Sequence, residues 1–213
     1  VETVDGAHLR GVSVNNIVMQ DVRAPIFVRL AHRGINPLNR GEKPQPGTLE
    51  DVSLSNITAY RASCASSITG IPGHLVRNVT VNSHGPNSDG CDPESCRDVV
   101  ITDCVFDTGD DCIAIKSGRN GDGRRVNVPT ERVLVENCEF RDGHGGVTLG
   151  SEISAGVREV YAQNLRMTSP ALDVALRFKT NSMRGGFIDG FHARAITVDS
   201  VARSAIEMDL DYE

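Results

Sequence analysis

Three carboxylates stand at a repeat distance in the stretch NSDGCDPESCRDVVITDCVFDTGDD, residues 87–111: Asp89 and Asp110 are 21 residues apart and Asp111 follows at once. In a chain that winds in turns of about that length, the backbone returns to the same side, and Asp89 comes one strand spacing, about 4.8 Å, from the Asp110/Asp111 pair. Like charges held that close push at least one pKa upward, so that one acid keeps a proton to donate while its neighbours stay ionised. Carboxylates that straddle a scissile bond are the equipment of glycoside hydrolysis, one protonating the leaving oxygen while another activates water or attacks carbon. Downstream lie an imidazole, His144, between two glycines, and two cations, Arg177 and Lys179, spaced to share one face of a strand. Two neighbouring cations suit the carboxylate of a sugar acid, which an arginine can grip through two nitrogens, so the predicted substrate class is a polyuronide.

Those residues need elements to hold them in line, and the chain carries a repeat that can do so. VSVNNI (12–17), VSLSNI (52–57), VTVNSH (79–84), VVITDC (99–104), VLVENC (133–138), VYAQNL (160–165) and FHARAI (191–196) share one pattern. Apolar residues recur at the first and third places, Asn or Asp is common at the fifth, and an apolar residue usually follows at the sixth. The alternation is that of a strand with one buried face. The fifth-place Asn16, Asn56, Asp103, Asn137 and Asn164 suit a left-handed turn, where each amide can pair with the one on the next level. The expected fold is all-β, a right-handed parallel β-helix of about seven or more coils in a single domain spanning residues 1–213.

Counting from the first place of each coil tests whether the polar residues line up. Asp89, Asp110 and His144 fall 10 or 11 positions beyond Val79, Val99 and Val133. Arg177 and Lys179 fall 17 and 19 beyond Val160, on a coil lengthened by the insertion SPALD. Gly109 allows the bend that lets both Asp110 and Asp111 reach one groove, and Gly143 and Gly145 let a substrate approach the backbone at His144. Polar excursions at Ala31–Thr48, Gly118–Thr130 and Ser169–Asp173 read as surface loops that wall the groove.

Composition narrows the partners. The net charge is −6, Trp is absent and only nine of 213 residues are Phe or Tyr, so the core falls to Val, Ile, Leu and Ala, and a nucleic-acid partner is disfavoured for want of a basic face. No apolar run approaches the ~20 residues of a membrane span. Of the six cysteines, Cys104 and Cys138 take inward places and are expected as buried thiols; Cys91 and Cys96 leave a bridge or a metal open, although no CxxC pair supports zinc. A start at Val1 with neither Met nor a signal sequence suggests a fragment, or a processed or engineered product, and the uncapped ends leave strand edges open to end-to-end self-association.

The motifs Asn87-Ser88-Asp89, Gly109-Asp110-Asp111, Gly143-His144-Gly145 and Arg177-Phe178-Lys179 resemble, in order and spacing, those of glycoside hydrolase family 28, the polygalacturonases. The resemblance covers roughly residues 82–213, with Ser88 where the family usually has Thr. It implies a parallel β-helix, inverting hydrolysis of α-1,4-galacturonosyl bonds in polygalacturonate or oligogalacturonides, no cofactor, and a secreted or periplasmic setting. Residue by residue, it implies Asp110 as general acid, Asp89 and Asp111 as the pair that activates water, and His144 as support for the acid. Arg177, Lys179 and Tyr212 would contact the substrate. The sequence context of these motifs is more similar to bacterial exo-acting members. The first 81 residues resemble C-terminal coils of the same family placed out of order, which suggests a truncated, rearranged or chimeric enzyme. A calcium-dependent pectate or rhamnogalacturonan lyase, and an inactive or engineered β-helix scaffold that keeps the acidic column, are the alternatives.

Overall fold

A computed structural model describes residues 1–4, 6–23, 26–31, 47–60, 67–69, 76–77 and 79–212. Its strands are β1 (Glu2–Val4), β2 (His8–Gln20), β3 (Phe27–Ala31), β4 (Thr48–Tyr60), β5 (Ser67–Thr69), β6 (Val76–Arg77), β7 (Thr80–Ser83) and β8 (Arg97–Thr102). There follow β9 (Val105–Thr108), β10 (Ile113–Ile115), the helix α1 (Asn120–Val126), β11 (Thr130–Glu136) and β12 (Glu139–Gly150). The chain closes with β13 (Val157–Met167), β14 (Leu172–Lys179), β15 (Ile188–Val198) and β16 (Ser204–Asp209).

Every named strand pairing is parallel, which with one short helix among the described residues requires each strand to be reached by a turn around a common axis. One ladder runs β15–β13–β11–β8–β6–β4, with β2 outside β4; a second runs β7–β9–β12–β14–β16, with β10 also against β12. A smaller sheet stacks β1, β3 and β5. This is the parallel β-helix that the repeat predicts.

The alternation accounts for the core. First- and third-place Val133, Val135, Val160 and Ala162 and sixth-place Cys104, Cys138 and Leu165 point inward and are buried. Phe106 and Phe140 stack on successive coils, ring centroids 5.5 Å apart. The fifth place turns as expected: Asn16, Asp103, Asn137 and Asn164 all have φ between 53° and 56°, and Asn164 Nδ2 donates to Asn137 Oδ1 at 2.6 Å. A second bend, which the repeat pattern does not announce, sits one residue before the first place. Gly11, Asp51, Asp98, Arg132, Glu159 and Gly190 are all left-handed there, so a left-handed residue lies at each end of a four-residue strand.

Two expectations change, and one open question closes. Val99, Val133, Val160 and Phe191 do pair in register, but Thr80 pairs with Val105, which sets Val79 opposite Cys104 and not Val99. The apolar alternation in VTV and CVF is the same, so periodicity alone cannot choose between the two registers. The excursion after the acid pair is not all loop: Asn120–Val126 forms α1, ended by left-handed Asn127. Cys91, Cys96, Cys104, Cys112 and Cys138 are all free thiols, so Cys91 and Cys96 do not bridge. The excursion within 32–46 and Cys64 lie outside the described residues. Among the described residues no helix is long and apolar enough to cross a membrane.

Candidate active site

The coil after β7 brings Asp89 back beside the bend that follows β9. Gly90 N donates to Asp111 O at 2.9 Å and Cys91 N to Cys112 O at 2.9 Å, which sets Asp89 opposite Asp111. The column count placed Asp89 opposite Asp110; the path through His84–Ser88 shifts it by one. His144 N donates to Asp110 O at 3.1 Å, so Asp110 and His144 do face each other across neighbouring coils. The four residues gather on one side of the solenoid.

Asp110 and Asp111 part company at the bend. Asp110 keeps a partly open carboxylate, with Oδ1 accepting from Asp111 N at 2.9 Å and lying 3.2 Å from His144 Nδ1. Asp111 is buried; Lys179 Nζ stands 2.7 Å from its Oδ2 and Arg177 Nη1 3.8 Å from its Oδ1. Asp89 accepts from Lys116 Nζ at 3.1 Å. Each carboxylate flanking Asp110 therefore faces a lysine, whereas Asp110 itself faces an imidazole.

The glycines are there for packing. A Cβ on Gly143, whose φ is +147°, would come within 2.7 Å of Asp110 O, and one on Gly145 would press on Thr148 Oγ1 and lie 2.8 Å from Asp111 Oδ1. Gly109 is hemmed in similarly, with Ser88 Oγ 2.8 Å from its would-be Cβ. Ser88 keeps the hydroxyl that matters, accepting from Gly109 N at 3.2 Å while donating to Gly85 O at 2.7 Å.

Arg177 and Lys179 share the face of β14 opposite core-facing Leu176 and Phe178, as alternation requires. Arg177 Nε donates to Glu207 Oε1 at 3.0 Å, and both cations lie over the Tyr212 ring, Lys179 Nζ at 4.9 Å and the Arg177 guanidinium carbon at 5.6 Å from its centroid. Tyr212 is held by its backbone, its N donating to Thr180 O at 3.0 Å. The structure thus brings together all seven residues singled out from sequence.

It adds others that motif reading missed. Lys116 Nζ also donates to Asp92 Oδ2 at 2.8 Å and lies 4.0 Å from Glu152 Oε2. Burial, reinforced by the charge on Asp89, lifts the Asp92 carboxyl to about 8. The only signals were a second Asp three residues after Asp89 and a lysine closing the apolar run CIAI. Beside the acids, His84, Asp107 and Asp142 offer three potential metal-ligand atoms within 4.8 Å of one another. Within this group His84 Nε2 lies 2.6 Å from Asp107 Oδ1, and Asn82 Nδ2 donates to Asp107 Oδ2 at 2.9 Å.

Residues 70–213 match the sequence profile of Glycosyl hydrolases family 28. The chain belongs to family 28. Within that family it is 34% identical over 168 residues to an exo-poly-alpha-D-galacturonosidase from Dickeya chrysanthemi, covering 79% of this chain and 27% of the relative. It is 31% identical over 213 residues to an endo-polygalacturonase from Pectobacterium parmentieri, covering 99% of this chain and 49% of the relative. Among solved structures, an exopolygalacturonase from Thermotoga maritima superposes with a TM-score of 0.65 at 38% identity, over 76% of this chain and 36% of that one. This family 28 chain therefore spans half or less of the length of each of these three relatives.

Proposed function

We propose that this chain acts on pectin, hydrolysing α-1,4-galacturonosyl bonds of polygalacturonate or oligogalacturonides by acid/base catalysis with inversion. In this reading Asp110 protonates the leaving glycosidic oxygen, Asp89 and Asp111 draw the proton from an attacking water, and the sugar is left with a new anomeric hydroxyl. The observation that carries it is the unequal pairing of the three acids. Asp89 and Asp111 each face a lysine, while Asp110 faces only His144 among the charged side chains described, so the three carboxylates are not equivalent.

His144 Nδ1 is placed to support the proton on Asp110, and its half-exposed ring leaves room for a sugar against the same edge. Arg177, Lys179 and Tyr212 form a cationic, ring-backed floor suited to a galacturonate carboxylate. Adjacent coils lie about 4.8 Å apart, less than the ~6.5–9.5 Å usual between the two carboxyl groups of an inverting enzyme, yet three acids around one water need not follow a two-acid rule. The 38% identity to an exopolygalacturonase favours release of units from a chain end.

The test is product analysis on polygalacturonate with the parent chain and Asp110→Asn. Galacturonate monomer from the parent, and turnover lower by about a hundredfold or more in the variant, is the expected result. Oligomers would mean endo-action. An absorbance rise from unsaturated sugar would indicate a lyase, and unchanged turnover in the variant would remove Asp110 as the acid.

A further inference from the structure

The two lysines that face the flanking acids occupy one column of the solenoid. Ile115 pairs with Leu149 and Gly150 with Lys179, so Lys116, Gly150 and Lys179 follow one another on successive coils. Each lysine lies five residues or more along the strand direction from the acids and reaches back: Lys179 to Asp111, and Lys116 to Asp89. Gly150 packs directly on the Lys179 backbone, which a Cβ there would run into, so the middle level of this column carries no side chain. Lys179 belongs to an Arg-x-Lys motif, whereas Lys116 belongs to none of the motifs recognised from sequence.

Lys116 is more tightly held than binding a substrate would require. Its N donates to Pro93 O at 2.9 Å and its O accepts from Thr130 Oγ1 at 2.6 Å, which fixes the backbone from both sides. Its ammonium is shared between Asp89 Oδ2 at 3.1 Å and Asp92 Oδ2 at 2.8 Å, with Glu152 Oε2 at 4.0 Å. The Asp92 side chain is 4% exposed and that of Asp89 13%, so this pairing happens largely out of water. Two charge-assisted hydrogen bonds, with a third carboxylate at 4.0 Å, commit this nitrogen to protein partners.

We propose that Lys116 is a positioning residue for Asp89, holding that carboxylate ionised and aimed at the attacking water while Asp92 and Glu152 anchor the ammonium from behind. The inference rests on the hydrolase reading above. It assigns Lys116 and Lys179 matching parts: each secures one of the two acids that take the water's proton. The charged groups around Asp89 are Lys116 and Asp92 directly, Glu152 beyond the ammonium, and Asp111 with its partners Lys179 and Arg177 on the next coil. With Lys116 removed, Asp89 would face Asp92 and Asp111 with no cation of its own, a setting that favours its protonated, inactive form.

The experiment measures kcat and KM on polygalacturonate across pH for the parent chain, Lys116→Met, Lys116→Arg and Asp110→Asn. Lys116→Met should lower kcat by about tenfold or more with KM within about twofold, and should move the acidic limb of the kcat/KM profile to higher pH. Lys116→Arg should restore most of the rate and the original limb. Should Lys116→Met fail to fold, the double variant Lys116→Met/Asp92→Asn removes the buried charges together and is read in the same way. An unmoved pH profile, or a change in KM alone, overturns the proposal. Turnover that survives in Asp110→Asn would instead sink the hydrolase reading beneath it, so the two failures are told apart.

Discussion

Lys179 Nζ lies 2.7 Å from Asp111 Oδ2, and both side chains are almost wholly shielded from water. Removing the lysine would leave a buried carboxylate with Arg177 Nη1 at 3.8 Å as its nearest cation. Breaking such a pair on one side typically costs about 3–5 kcal/mol, because the abandoned charge keeps its desolvation penalty. Lys179→Ala should therefore lose stability of that order as well as raise KM, and adding Asp111→Asn should recover part of the loss. Denaturant unfolding of the single and double variants measures both. Equal stability of Lys179→Ala and the parent would show that Asp111 does not depend on this pair.

His144 makes the opposite case. Its side chain is about half exposed and its contact with Asp110 Oδ1 is 3.2 Å, so little of the fold hangs on it. His144→Ala should change stability by no more than about 0.5 kcal/mol. Turnover should fall by about tenfold to a thousandfold, chiefly in kcat. Parent-like kcat in the folded variant would remove His144 from support of the acid.

Asp92 predicts a pH effect on folding. Its carboxyl is lifted to about 8 in the folded chain, whereas an unfolded chain titrates Asp near ~3.9. Between those values the folded protein keeps a proton that the unfolded chain has released, so this group's stabilisation drains away as pH rises through the window. Asp92→Asn has no such proton to lose. Its melting temperature relative to the parent should climb steadily from about pH 4 to about pH 8. A constant difference over that range would mean that Asp92 titrates alike in both states.

Gly145 tests the packing explanation for the Gly-His-Gly motif. An added methyl would press on Thr148 Oγ1 and sit 2.8 Å from Asp111 Oδ1 and 3.4 Å from Arg177 Cβ. Gly145→Ala should cost about 1–3 kcal/mol, the usual range for overfilling a tight site, and should lower turnover by displacing Asp111. Thermal melts and rates on polygalacturonate check the two halves. An unaffected melting temperature would leave the glycine to be explained by substrate access.

Much of this was legible in the sequence because the solenoid writes its period into the letters. Val133, Val135, Val160 and Ala162 report the buried face directly, and Asn137 and Asn164 report the turn through a side chain that stacks on its own kind. Asp89, Asp110, Asp111, His144, Arg177 and Lys179 could be lined up because strand register converts sequence offset into adjacency, whereas Tyr212 came from the family resemblance alone. What escaped were features with no compositional mark. The bend before each first place is taken by Gly, Asp, Arg or Glu in turn, so no residue type flags it. The slip that sets Val79 opposite Cys104 leaves alternation intact and is invisible to it. Lys116 and Asp92 were missed because ion pairing between coils depends on which side chains reach back along the strand, which spacing by itself does not reveal.

The left-handed residues that bracket each short strand also bear on how such a protein can change. They confine curvature to single points, so the straight portions must keep step with their neighbours while whatever hangs between corners is free in length. The intervals of 20 to 40 residues between successive first places are tolerated for this reason. New walls can thus be grafted beside the acids without restacking the shaft.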